Sequence, residues 1–226
     1  MARISHKNEK SVSKSSNPTS KYLEWKSNNK SFSYYDKEVG ENVNVNLPLK
    51  FVFLQHYHTV KGWHGASKSK IFSNEVYYIG SEPMTVRSFG NKEEKLPGVE
   101  IASGIYTEMK SKINESGGKY HRSVYVMLED GTIANLSFKG SAVKEWSDFM
   151  DANKNLVDAQ WVEVNSAKDQ KKGSIKYSTP EFTMGANLKP TDADKADSAA
   201  AKLKAHLNTY FNKEDAVEVT DFELDF

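Results

Sequence analysis

Residues 120–140 read YHRSVYVMLEDGTIANLSFKG. Two runs rich in Val, Tyr, Ile, Leu and Phe flank Asp130–Gly131, a pair that suits a tight type I′ turn, so the stretch reads as a β-hairpin. A helix follows at once. Ser141 is placed to cap it, and Val143, Trp146, Phe149 and Met150 fall at helical spacing. Beyond it, WVEVNS (161–166) and SIKYSTPEFTM (174–184) read as a last strand pair, joined by the polar, basic loop AKDQKKG (167–173).

Upstream of the hairpin, strand signals dominate. LKFVFLQHYHTV (49–60) is one long run of β-branched and aromatic residues. Phe32, Tyr34 and Tyr35 form an earlier short run. Val43, Val45 and Leu47 alternate with asparagines ahead of Pro48. IFSNEVYYIG (71–80), MTVRSF (84–89) and GIYTEMKSKI (104–113) read as further strands, the last ending at Gly117–Gly118, with a loop over 90–98. About seven strands with one inserted helix predict a mostly β fold. An OB-fold-like antiparallel barrel over 21–189 is the first expectation, and a β-sandwich is the alternative. Ala196, Ala200, Leu203, Leu207 and Tyr210 mark one face of a C-terminal amphipathic helix over 190–213. Thr191 and the Asp192/Asp194 pair suit its N-terminus.

Both flanks are polar. Residues 1–20 hold Arg3, Lys7, Lys10 and Lys14 against Glu9 alone and read as a disordered basic arm. Residues 214–226 hold six acids and no Lys or Arg. The net charge of +1 hides this asymmetry: without those six acids, 31 bases face 24 acids, a body of +7. There is no cysteine, which excludes disulfides, thiolate nucleophiles and cysteine zinc sites and fits a reducing compartment. No apolar run approaches the roughly 20 residues of a membrane span. No apolar segment follows the first basic residues, so a signal peptide is not expected.

Aromatic and basic residues interleave in KFVFLQHYHTVKGWHGASKSK (50–70). On a regular strand Phe51, Phe53 and Tyr57 share one face, and Val52, Leu54, His56, His58 and Val60 share the other. If the aliphatic face is core, the aromatic face is a platform on which bases stack, with lysines following the phosphates. If Phe51 and Phe53 are core, no platform exists there. Tyr57 and Trp63, beside Lys61, Lys68 and Lys70, are expected to be exposed. Tyr120 and Arg122 form a second candidate beside Gly117–Gly118, and Lys171 and Lys172 form a third. These residues are the expected nucleic-acid contacts. His56, His58 and His64 raise a metal site, but acids are sparse around them and no metal or other cofactor is expected. Phosphate-loop, nucleophile-elbow, zinc-helix and dinucleotide signatures are all missing, so catalysis is not expected.

The tail, EDAVEVTDFELDF, alternates acids with apolar residues and ends at Asp225–Phe226. Asp221, Phe222, Glu223, Leu224, Asp225 and Phe226 suit a peptide that seats an aromatic in an apolar pocket with a basic rim. An acidic tail ending in Phe after a β-rich body resembles the single-stranded DNA-binding proteins of bacteria and bacteriophages. Bacterial forms end in Pro-Phe and phage forms in Asp-Phe, so the phage family is the nearer, and a divergent crAss-like phage is the expected source. The resemblance covers the tail and the layout, not the body. It implies an OB-fold, coating and protection of single-stranded DNA in replication or recombination, recruitment of replication proteins by the tail, and action in the host cytoplasm, without membrane contact and with self-association open. A phage structural or assembly protein without nucleic-acid binding is the alternative.

Overall fold

A computed structural model describes residues 17–214, with side chains through Thr209. The elements in chain order are β1 (Thr19–Lys26), β2 (Ser31–Asp36), β3 (Glu41–Val45), β4 (Leu49–His64), β5 (Ser69–Ser73), β6 (Met84–Ser88), β7 (Gly90–Asn91), β8 (Leu96–Pro97), β9 (Glu100–Gly104), α1 (Tyr106–Glu115), β10 (Gly118–Leu128), β11 (Ile133–Lys139), α2 (Ser141–Asn153), β12 (Gln160–Lys172), β13 (Ile175–Asn187) and α3 (Pro190–Glu214). The fold is mostly β, as expected, and its large sheet is mixed, because β1 pairs parallel with β11. No closed barrel is found among the described strands. Among the described residues no helix is long and apolar enough to cross a membrane.

The described chain divides into two compact units. The first takes residues 17–55, 124–137 and 144–214; the second takes 56–123 and 138–143. In the first unit the sheet runs β3-β2-β1-β11-β10-β4. β12 pairs with the start of β4, placing Val162 opposite Phe51, and with β13 on its other side. The core gathers around Trp146, which is wholly buried; its ring centre lies 6.4 Å from Phe51, 5.7 Å from Phe53 and 5.2 Å from Phe182. Trp25 packs edge-on against Phe32 and donates its indole N–H to the Ser178 carbonyl at 2.9 Å. Ala196, Ala200, Leu203 and Leu207 of α3 are buried, as their spacing predicts, and Pro190 opens the helix where its missing N–H costs no hydrogen bond.

Here the expected platform fails. Phe51 and Phe53 are 0% and 1% exposed, and Val52 and Leu54 on the opposite strand face are 0% exposed. Both faces of this stretch are covered, which is what a near-continuous apolar run means in a strand. Two further readings change. The hairpin at 128–132 turns through three residues, not two: Leu128 and Thr132 close it, and among its residues only Gly131 takes a positive φ, +82°. The stretch 167–173 is ladder rather than loop, since β12 runs to Lys172 and only Gly173 and Ser174 separate it from β13.

The second unit orders its strands β4-β5-β6-β9, all antiparallel, with the first half of β10 on the other side of β4. Residues 104–113 carry a helix, not the expected strand. Ile105, Tyr106 and Thr107 are β-prone, yet Tyr106, Met109 and Ile113 fall on one helical face and all three are buried. They pack with Val60, Ile71, Val76, Met84, Val86, Ile101 and Ala102, so α1 covers one face of this sheet. The strand expected over 71–80 ends at Ser73, and the Glu82 carboxylate accepts the Tyr77 and Tyr78 backbone N–H groups in the turn that follows.

Candidate nucleic-acid interface

Strand alternation builds the site. Val60, Ile71, Val86 and Ala102 point at α1, so the residues between them turn to the other face. These are Lys61 and Trp63 from β4, Lys70 and Phe72 from β5, and Thr85 and Arg87 from β6. Trp63 lies opposite Lys70, and Phe72 lies opposite Arg87. Just past β6 the Phe89 N–H donates to the Lys70 carbonyl at 3.2 Å, and this return of the chain lays the Phe89 ring on Phe72, centres 4.1 Å apart and planes 22° from parallel.

The aromatic surface is open. Trp63 is 57% exposed and Phe89 37%. Trp63 is held at its backbone: a Cβ on Gly117, whose φ is +92°, would lie 2.2 Å from the Trp63 carbonyl oxygen, and one on Gly62 would lie 2.3 Å from the Gly117 oxygen. Only glycine fits either place. Lys70 has no carboxylate partner among the described residues. Arg87 meets Glu100 at 3.5 Å in an exposed pair of little worth, and Lys68, in the adjoining turn, is bound to Glu94. Trp63 and the Phe72–Phe89 stack are about 8 Å apart from strand geometry, two residues along and one strand across. Such a face offers two stacking stations on one diagonal, with Lys61 and Lys70 on the other.

Of the expected contacts, the structure brings Lys61, Trp63 and Lys70 together and sets Lys68 beside them. It separates the others. Tyr57 is 5% exposed and packs edge-on against Tyr77, and burial pushes its hydroxyl pKa up, so it is no stacking surface. Tyr120 packs against the α1-side core, opposite to Trp63, and Arg122 joins it there through His58. Lys171 lines an open cleft of about 520 Å³ in the first unit, with Lys30, Lys176 and Tyr177, and Lys172 is its neighbour on β12. The six tail residues and most of the basic arm lie outside the described residues.

Sequence reading missed Phe72, Phe89 and Arg87. For Phe72 and Arg87 the signal was the period-two pattern SKIFS and MTVRS, in which alternate residues are small or aliphatic. The histidines take other roles. Arginine only donates, so His58 Nε2, 2.9 Å from Arg122 Nη1, is the acceptor; Nδ1 therefore carries the proton and donates to the Tyr120 oxygen at 2.6 Å. Burial, then Arg122, lowers the His58 pKa to about 4; burial, then Arg122 and His58, lowers that of His56 to about 3. His64 Nδ1 pairs with the Ser67 hydroxyl at 2.7 Å. Among the described residues, no three His, Asp or Glu side chains gather as a ligand set. Comparison with family models, with curated proteins and with solved structures finds no match.

Proposed function

We propose that this chain binds single-stranded DNA, without sequence preference and without catalysis, through the exposed aromatic and basic face of its second unit. The observation that carries the reading is Trp63, largely exposed and directly opposite Lys70, beside the Phe72–Phe89 stack. Unpaired bases present both faces to such rings, while cations follow the backbone. Duplex bases are already stacked on each other, so duplex DNA has only charge to offer this face. The reading needs an open sheet face and does not depend on an OB-fold barrel. Coating of DNA in phage replication or recombination, in the host cytoplasm, follows from the resemblance of the tail.

The test is a titration with labelled oligo-dT at two salt concentrations. Affinity is expected to fall log-linearly with salt, with a slope of about −0.7 per phosphate neutralised on a single strand. Lys70→Gln is expected to flatten the slope by roughly that amount. Lys68→Gln is expected to flatten it less, because Glu94 already shares its charge. Binding that ignores salt, or no binding at low salt, rejects the proposal. Protection of Trp63 by a virion protein, with oligo-dT silent, would make the face an assembly surface.

The tail belongs to the same reading. Six tethered acids compete with phosphate for a body of +7 at an effective concentration in the millimolar range. Deleting residues 214–226 is expected to strengthen oligo-dT binding, most at low salt where screening is weak. Removing Phe226 alone leaves the six acidic side chains, so DNA affinity stays and a replication partner is lost. Weaker DNA binding by the truncated chain would put the tail inside the fold instead.

A further inference from the structure

In the first unit, one face of the β12–β13 ribbon sets two lysines against each other. From Ser166 to Lys172 the register is unbroken, so Asp169 and Lys171 share a face with Lys176 and Ser178. Lys168, Gln170 and Lys172 share the other face with Tyr177, whose hydroxyl donates to Gln170. Lys171 stands directly opposite Lys176. Side chains so placed have Cβ atoms about 4.5–5.5 Å apart, and like charges there repel. Neither lysine has a carboxylate partner among the described residues.

A pinned turn walls this face. The Ser178 N–H donates to Ser27 Oγ and the Ser178 hydroxyl donates to the Ser27 carbonyl, both at 2.6 Å, and Ser178 is buried. These bonds fix the turn between β1 and β2 against the ribbon. From that turn Lys30 reaches Asp169 at 2.7 Å, in an exposed pair of little energetic worth. Turn and ribbon together line the open cleft of about 520 Å³, and its charged residues are Lys30, Asp169, Lys171 and Lys176. Three ammonium groups against one carboxylate leave the cleft at +2. Each ammonium is a compact charge with three donors. An oxyanion seated between Lys171 and Lys176 replaces their repulsion with two attractions, and Lys30 adds a third cation from the same cleft. A charge of +2 suits a phosphate better than a single carboxylate.

We propose that Lys171, Lys176 and Lys30 form a binding site for a phosphate-class oxyanion, built from none of the residues of the aromatic face. Lys172, on the other face of the ribbon, takes no part. The anion is either a free phosphate or one phosphate of a nucleic-acid strand, and the chemistry of the site is the same for both. Only the second source rests on the single-strand reading.

The opposite ribbon face supplies the control. The lysines of the full-length protein are briefly acetylated alone, with sodium pyrophosphate, and with oligo-dT, sodium chloride keeping the ionic strength equal, and mass spectrometry locates the modified residues. Lys171 and Lys176 are expected to react several-fold more slowly with the anion present, while Lys168 and Lys172 react as before. Protection by pyrophosphate supports the site and a free anion. Protection by oligo-dT alone supports the site and a backbone phosphate. Protection by neither, or equal protection of Lys168 and Lys172, overturns it. Protection already present without added phosphate, and released by deleting residues 214–226, gives the cleft to the tail's carboxylates and also overturns it. Lys176→Gln, at an exposed position, is expected to keep the Tm and to lift most of the protection of Lys171; unchanged protection counts against a shared anion. Oligo-dT that quenches Trp63 and leaves this pair reactive, with pyrophosphate silent, removes the cleft alone. Protection by pyrophosphate without any binding of oligo-dT keeps the cleft and removes the single-strand reading.

Discussion

Trp63→Ala is expected to weaken oligo-dT binding about 5- to 150-fold, the equivalent of about 1–3 kcal/mol for one lost base stack. The Tm should hold, because the side chain is more than half exposed and supports no core. The same protein provides a clean optical test. It has four tryptophans, and Trp25, Trp146 and Trp161 are buried. Quenching on DNA binding should therefore come from Trp63 and vanish in Trp63→Ala. Phe72→Ala is expected to fall in the same range and to loosen Phe89, its stacking partner. A folded Trp63→Ala variant with unchanged affinity would remove the main support for this face as the site.

Phe51→Ala is expected to do the opposite. Its ring is wholly buried beside Trp146, so truncation leaves a cavity and costs about 3–5 kcal/mol of stability. Phe53→Ala belongs in the same range. Denaturant unfolding followed by tryptophan emission measures the loss. Well below the transition, the folded fraction should bind oligo-dT with nearly wild-type affinity. A stable Phe51→Ala protein that no longer binds DNA would restore the platform on residues 51–57 and contradict the packing described here.

The two variants mark where the sequence was readable. Around Trp63 the context is local: a lysine two residues before, glycines on both sides, and a strand whose inner residue Val60 is aliphatic. Around Phe51 there is no contrast to read. Every residue from Phe51 to Leu54 is apolar, so the pattern does not say whether one face is covered or both. The helix over Tyr106–Glu115 was misread because Ile105, Tyr106 and Thr107 favour strands, while its buried face, Tyr106, Met109 and Ile113, repeats at helical intervals. Packing against Val60, Ile71 and Val86 outweighed that weak propensity. Phe89 was out of reach for another reason. It stacks on a residue 17 positions earlier, and only the return of the chain past β6 brings the two rings together.

Alternation and spacing alone determined that the chain is mostly β, that 120–140 forms a hairpin, that 190–213 forms an amphipathic helix, and that Lys61, Trp63 and Lys70 are polar or exposed candidates in one neighbourhood. These are properties of consecutive residues. Tertiary structure alone decided that Tyr57 is buried, that Tyr120 and Arg122 point away from Trp63, and that Phe72, Arg87 and Phe89 join it. A strand's sequence says which side chains share a face, but burial belongs to what lies across from that face: α1 covers the Val60 face of the second unit's sheet, and Tyr77 packs against Tyr57.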